Sequence, residues 1–577
     1  MIPGCITSPE PTPEPATPAP ALPKEFLVAP KFAVLPGVSE FFESHDGVKL
    51  HQRLFLPDTS AFDVAALASA NLTPDLAPIA PGEWKAPIIL VMSPYFDEAS
   101  RANPSDPASM PGYERYAWLV THFVPKGYAV ILSDVRGTGE SGGCLEQTGP
   151  LQMEDEYLLI EHYATQAWAN GKVGMFGKSY DGETQQSALV MRPPHLTTII
   201  PLSSVAGQYE WNFYDGVPYT VNGLAGMVSY AQIGLTPGTT TDSRTMYAER
   251  AGCHPENLKE GADPSGDMNT FWKSREFREL RHEANGTSVF YVHGLADWNV
   301  KPNHIRDWFN DLNVPKTAWL GQWGHDYPEE NRVVPEWSRH DWRDAVEAWF
   351  DHWLLGAPTG ADQWVGTVQV QDSLGRWRTE EAWPPHDATS GLWYLADGKL
   401  HAAPTESAPS MYREEARNAL DFPTVGTRRG VLFEGEALTA DLHYAGTPWV
   451  NFTAVVDRPD THFAIQLLAI HANGDEEIVN RGYLSAPHRE SLESPSLLTP
   501  GAPTRFSVRL FPQDDVIPAG ARLAVWMSAV DDWVQPAGTG ATVTVLHTKD
   551  APATLDLPLV APTESDFLDV PMGTPKA

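Results

Sequence analysis

"GMFGKSYDGETQQ", Gly174–Gln186, joins a short apolar run ending in glycine to a polar, helix-like stretch, with Ser179 at the seam. Three readings fit a serine there: the end of a phosphate-binding loop, a nucleophile on a strand-to-helix turn, or a helix N-cap. The phosphate loop fails on spacing. Its pattern holds four residues between the first glycine and the Gly-Lys pair. Here five residues separate Gly171 from Gly177, and Lys172 stands where the glycine is required. Nearby, Gly137, Gly139 and Gly142 in "SDVRGTGESGG" have dinucleotide-loop spacing after the apolar run "YAVILSD". Such a loop must open a helix on its last glycine, and "GCLEQTGP" follows instead.

The flanks of Ser179 suggest the second reading. "KVGMFG" reads as a strand and "ETQQSALVMR" as a helix stopped by Pro193-Pro194. "APIILVMSPY", "YAVILSD", "LTTIIPLSS", "SVFYVHG" and "TAWLGQW" are short continuous apolar runs, as expected of buried parallel strands. "LQMEDEYLLIEHYATQAWA", "NHIRDWFNDLN" and "DWRDAVEAWFDHWLLG" have helical spacing. "EFFESHDGVKLHQRLFLP" reads as two strands turning at Asp46-Gly47. Strands alternating with helices predict an α/β fold with a mostly parallel sheet covered on both faces. An irregular, aromatic and glycine-rich stretch, about 205–285, breaks the rhythm and is expected to cap the C-terminal edge of the sheet, where ligands bind in open α/β folds. From 361 to 577 alternating apolar and polar strands without long helices predict an antiparallel, jelly-roll-like sandwich. Residues 36–360 form the expected catalytic unit, and 1–35 a Pro-rich tether.

The chain has 577 residues and a formal net charge of −34, which argues against nucleic acid or an anionic lipid surface as partner. No apolar run is long enough to span a bilayer. "IPGC" resembles the end of a bacterial lipoprotein signal, with Cys5 as lipid acceptor, so a secreted or cell-surface location is expected. Cys144 and Cys253 could pair in an oxidising compartment.

A serine on such a turn needs a base and an orienting carboxylate. In an α/β-hydrolase these follow in the order Ser, Asp, His, each just past a strand. Asp297 follows "SVFYVHG" and His325 follows "TAWLGQW". His293 precedes the aspartate, and His304, His340 and His352 lie on or beside helices. An oxyanion would be met by the N–H of Tyr180 and, from the loop after the third strand, by Tyr95 in "VMSPYFDE". The glycine pattern departs from G-x-S-x-G, because the second glycine, Gly182, stands one place late. No cluster has metal-site spacing, so no metal or cofactor is expected.

"GKSYDG", "SDVRGTGESGG", "VHGLADWNVKP", "GQWGHDYP" and "WFDHWLLG" resemble the X-prolyl dipeptidyl-peptidase and cocaine-esterase family of serine hydrolases, from about Phe41 into the sandwich. The resemblance implies an α/β-hydrolase domain, a helical cap and a jelly-roll domain. It also implies the triad Ser179, Asp297 and His325, with Tyr95 as oxyanion donor. The larger bacterial peptidases of that family carry a long N-terminal helical domain where this sequence has the tether, which leaves oligomeric state (a homodimer among the options) and fine specificity open. The family includes esterases and acylases acting on amino esters and β-lactam side chains.

A dipeptidyl-peptidase must hold a free α-ammonium and a proline. In "GQYEWNFYDGVPY", Glu210 and Asp215 are candidate ammonium partners, as is Asp181 beside the nucleophile turn. Tyr209, Trp211, Tyr214 and Trp298 are candidate walls of a proline slot. The expected activity is release of Xaa-Pro from peptide N-termini. The alternatives are an esterase or acylase and, outside enzymes, a surface protein whose sandwich binds a glycan or a partner.

Overall fold

The structure is a computed structural model that describes residues 28–573, apart from 30, 61–83, 97–110, 221–260, 262, 285, 304, 415–429 and 563. Cys5, Cys253, His304 and most of the tether lie outside the described residues. Cys144 is disulfide-bonded.

Ten strands in chain order carry the first sheet: β1 Val38–Glu43, β2 Lys49–Phe55, β3 Ala86–Ser93, β4 Ala129–Asp134, β5 Ala169–Lys178, β6 Leu196–Leu202, β7 Ser288–Gly294, β8 Lys316–Gly321, β9 Val368–Gln371 and β10 Trp377–Glu380. Their spatial order is β1-β2-β4-β3-β5-β6-β7-β8-β9-β10, closed by Phe567–Leu568. From β4 to β9 every neighbouring pair is parallel. β1, β2 and β10 run antiparallel to their neighbours. This is the sheet of an α/β-hydrolase. β3 and β7 are buried at every position, because helices cover both faces. Those helices are α1 Pro111–Phe123, α2 Pro150–Ala164, α3 Tyr180–Met191 and α4 Trp342–Leu355. Beneath the sheet Phe290, Trp319, Trp342 and Trp349 interlock at ring separations of 5.4–5.9 Å.

Two expectations change. "WVGTVQVQ", read as the first sandwich strand, supplies β9, hydrogen-bonded in parallel to β8, so the sheet continues past residue 361. Its alternating pattern reflects a strand near the sheet's end rather than a change of fold. "NHIRDWFNDLN" forms only the five-residue turn Ile305–Phe309, wound as a π-helix, instead of a longer helix.

Beyond β10 the chain forms a sandwich, antiparallel except where Lys399–His401 meets Val431–Ala437, with its own apolar core, including Phe452, Phe463 and Phe506. In Trp449–Val456 buried and half-buried residues alternate one by one, the period-two pattern of a strand with one face inward. Of the cap stretch, the described part contains a one-turn helix Tyr209–Asn212, a tight hairpin pairing Phe213–Tyr214 with Val217–Pro218, and the segment 263–284.

Candidate active site

β5 ends at Lys178 and α3 begins at Tyr180, so Ser179 is the hinge between them. Its backbone sits at φ 66° and ψ −130°. A non-glycine residue there carries about 1–3 kcal/mol of strain and persists only where the surroundings over-determine it. They do so here. Ser179 N–H donates to Leu202 O at 2.9 Å, and Ser179 O accepts from Gly182 and Glu183 at 2.8 and 3.0 Å. The displaced glycine is explained by the packing. A Cβ on Gly177 would stand 2.5 Å from Asp181 Cβ, and one on Gly182 would stand 2.7 Å from Ser204 Cβ and 3.0 Å from Leu202 O. The helix packs against the end of β6 through position 182, so the small residue is needed there and Asp181 is accepted at 181.

Asp297 and His325 lie in adjacent loops after β7 and β8. Those loops are stitched together by Leu295 N–H to Gly321 O and Ala296 N–H to Trp323 O, at 2.8 and 3.2 Å. His325 Nδ1 donates to Asp297 Oδ2 at 2.8 Å, while Asp297 Oδ1 accepts the N–H groups of Asn299 and Val300 at 3.0 and 2.8 Å. Asp297 is fully buried. Burial works against its charge, but the His325 imidazole and these donors more than offset it and hold the carboxyl below the usual range. With Nδ1 committed, the other ring nitrogen of the part-exposed His325 is the one directed elsewhere. Lys178 Nζ donates to His325 O at 2.7 Å, tying the residue before Ser179 to the histidine loop. The sequence reading missed that tie, since nothing in "GKS" points 147 residues ahead. His293 bonds Tyr291 Oη and Val300 O and is fully buried, which keeps its imidazole below the ordinary range and out of the site.

Tyr95 is half-buried and meets the Tyr180 ring edge-on at 6.5 Å. Tyr180 Oη donates to Gln152 and accepts from Thr148 N–H, locking the first helical residue in place. The N–H of that residue has no acceptor within its own helix. Asp181 accepts a short hydrogen bond from Tyr116 Oη.

The remaining candidates hold the cap and sandwich together. Arg509, from the sandwich, is bidentate to Asp215 at 2.9 Å and reaches Glu210 Oε1 at 2.8 Å. Arg278 donates to the same Glu210 oxygen at 2.7 Å. Two of the three candidate ammonium partners, Glu210 and Asp215, therefore already face guanidinium groups. Tyr209 and Tyr214 are fully buried, with hydroxyls donated to Gly266 O and Arg509 O, so they pack the cap instead of walling a slot. Trp211 is buried and its Nε1 donates to Asn299 at 3.3 Å. Trp298 is half-buried against Phe511 and Trp533. Lys301, overlooked in the sequence, is buried at this junction, with Nζ donating to Trp211 O at 3.0 Å and lying 3.9 Å from the centre of the Tyr219 ring. Burial pushes its ammonium down to about 7, against the opposing pull of Glu210 and Asp297.

Known proteins resemble this chain along most of its length. A profile described as X-Pro dipeptidyl-peptidase (S15 family) matches residues 46–327, and one described as the X-Pro dipeptidyl-peptidase C-terminal non-catalytic domain matches 363–555. A Bacillus cereus protein provisionally named Xaa-Pro dipeptidyl-peptidase is 28% identical over 501 residues, covering 80% of this chain and 82% of its own. The Xaa-Pro dipeptidyl-peptidase of Lacticaseibacillus casei is 22% identical over 527 residues, covering 74% of this chain and 64% of that protein. Among solved structures, an α-amino acid ester hydrolase superposes with a TM-score of 0.68 at 21% identity, over 95% of this chain and 98% of the other. A CocE/NonD family hydrolase from Staphylococcus aureus gives 0.69 at 16%, over 94% and 99%. These two likenesses bear on the fold. The two profiles together span most of the sequence, and with the named relatives they establish that the chain belongs to the S15 X-Pro dipeptidyl-peptidase family and is a serine hydrolase.

Proposed function

We propose that this hydrolase releases Xaa-Pro dipeptides from peptides with free N-termini, with Ser179 as nucleophile, His325 as base and Asp297 as its orienting carboxylate. The observation that carries the assignment is the 2.8 Å hydrogen bond from His325 Nδ1 to the buried Asp297. It fixes the tautomer in which Nε2 can accept a proton. On this reading Nε2 takes the Ser179 proton as Oγ attacks the carbonyl of the proline, whose bond to the next residue's nitrogen then breaks. The oxyanion is met by Tyr95 Oη and the N–H of Tyr180. The imidazolium then protonates the leaving amine, and water hydrolyses the acyl-enzyme by the same route.

Export belongs to the reading, because a disulfide at Cys144 suits an oxidising compartment, and Cys5 is the residue a lipid would modify.

One observation favours an esterase or acylase. Glu210 and Asp215 face Arg278 and Arg509, so an ammonium would have to share them. Ala-Pro anilide, its N-acetyl form and simple aryl esters separate the two readings. For the peptidase, acetylation should cost tenfold or more in kcat/KM, since it removes a charged partner from a buried carboxylate. Equal rates with and without acetylation, or turnover of the esters alone, would give the site to the esterase or acylase.

A further inference from the structure

Where the sandwich meets the cap lies a cavity of about 350 Å³ that contains no residue of the Ser179–Asp297–His325 set. This is the lower end of the range of small-ligand sites, about 300–1,000 Å³. Its wall includes Asn303, six residues beyond Asp297 in the same loop, together with Trp449, Leu492 and Arg489 of the sandwich. Asn303 is only 4% exposed, yet neither Nδ2 nor Oδ1 has a hydrogen-bond partner among the described residues. The buried Nε of Arg489 also lacks one. The Glu490 carboxylate, the acid paired with it, stands 3.9 Å away, beyond hydrogen-bond range. The other charged groups on this wall are satisfied. Arg509 is held by Asp215 and Glu210, and both His488 nitrogens are bonded, to Ser485 and Asp267.

Buried amides and guanidinium N–H groups are normally completed, so this pair marks what a ligand must supply. Asn303 offers two N–H donors and one acceptor, and Arg489 offers a charged donor. A carboxylate would accept from Arg489 Nε and Asn303 Nδ2, and an amide N–H beside that carboxylate would donate to Asn303 Oδ1. Trp449 and Leu492 provide apolar surface for the adjoining side chain. We propose that the cavity is a second binding site that takes the C-terminal carboxylate and last amide N–H of a short peptide. The inference rests on the peptidase reading for its choice of ligand, but its test does not depend on turnover.

The probe is N-acetyl-alanyl-leucine, which lacks the free ammonium a dipeptidyl-peptidase needs, compared with its C-terminal amide. Calorimetry is done on the intact chain after Ser179 has been blocked with a fluorophosphonate. The expected result is one site, at least tenfold weaker for the amide, and at least tenfold weaker in both Asn303→Leu and Arg489→Met. The thermal-unfolding midpoint reports whether each variant folds, and either variant alone decides the question. No binding at millimolar probe would mean that solvent completes these groups and would overturn the proposal. So would binding that appears only when Ser179 is unblocked, or binding indifferent to either substitution in a variant that folds. If the probe binds as expected while only esters are turned over, the second site stands and the peptidase reading falls.

Discussion

Ser179 is held at a positive φ by three backbone hydrogen bonds and by the close approach of α3 to β6 at Gly182. Gly182→Ala should therefore do more than fill space. Its Cβ would meet backbone as well as the Ser204 side chain, so the turn must shift. Overpacking of this kind costs about 1–3 kcal/mol, and a displacement of about 1 Å at a nucleophile can cost on the order of a hundredfold in rate. The expected outcome is a lower unfolding midpoint together with at least a tenfold loss of kcat. Wild-type values for both would show that the glycine is incidental. Ser179→Ala should fold, lose fluorophosphonate labelling and lose on the order of 10⁴-fold or more in kcat, because triad members act as a unit. Retention of substantial turnover in that variant would remove Ser179 from the mechanism. In the sequence the serine was identifiable by the apolar run before it and the helix after it. The offset glycine was not interpretable, because its reason is a contact with Ser204 and Leu202 on a different strand.

The elements that carry Ser179, Asp297 and His325 could be read from sequence because β7, nearly all of β8 and the second half of β5 are buried in the sheet, so that β7 and β8 appear as apolar runs and β5 as the short stretch Val173–Gly177. The element that links them to the cap could not. Three contacts join the loop after β7 to the segment 211–219: Trp211 Nε1 to Asn299, Lys301 Nζ to Trp211 O, and Tyr219 Oη to Trp298 O. None has a spacing signature, since each crosses about 80–90 residues of chain. Lys301 gives this clamp a measurable pH dependence. Its folded pKa of about 7 lies below the ordinary lysine value near 10.4. Between those values the unfolded chain binds the proton and the folded chain does not, so this group makes stability rise with pH across that window. Below about pH 7 the buried ammonium is charged in both states and its unfavourable burial is felt in full. Lys301→Met should remove this rise, so that the difference between wild-type and variant stability, measured by denaturant unfolding, grows in favour of the wild type from pH 7 to 10. A variant curve parallel to the wild-type curve would show that the lysine is not depressed. Loss of the clamp should also lower kcat by loosening the Asp297 loop.

At the scale of the whole molecule, the sandwich is bound to the catalytic unit by charge and aromatic contact. Arg378 of β10 is bidentate to Asp514 at 2.6–2.9 Å, Gln513 Nε2 donates to Leu295 O, and Trp298 packs at a tilt against Phe511 and Trp533. Gln513, Asp514 and Phe511 lie within six residues of Arg509, the residue that engages Glu210 and Asp215. One short sandwich segment therefore positions both the cap and the loop that carries Asp297. The partners of Arg509 are 294 and 299 residues away, which is why the sequence suggested two available carboxylates where the fold has an ion-pair network. Arg509→Met should be severe, because it leaves two carboxylates without their shared cation. Breaking a buried pair in this way costs about 3–5 kcal/mol, and somewhat less here because the arginine side chain is 17% and Asp215 20% exposed. The loss should fall on the cap contacts first, so kcat/KM should drop at temperatures where the catalytic sheet is still folded by circular dichroism. Adding Asp215→Asn to Arg509→Met should restore part of the stability, since it removes the orphaned charge, while Glu210 keeps Arg278. If the double variant is no more stable than the single, the network contributes through packing of the arginine stem and not through charge.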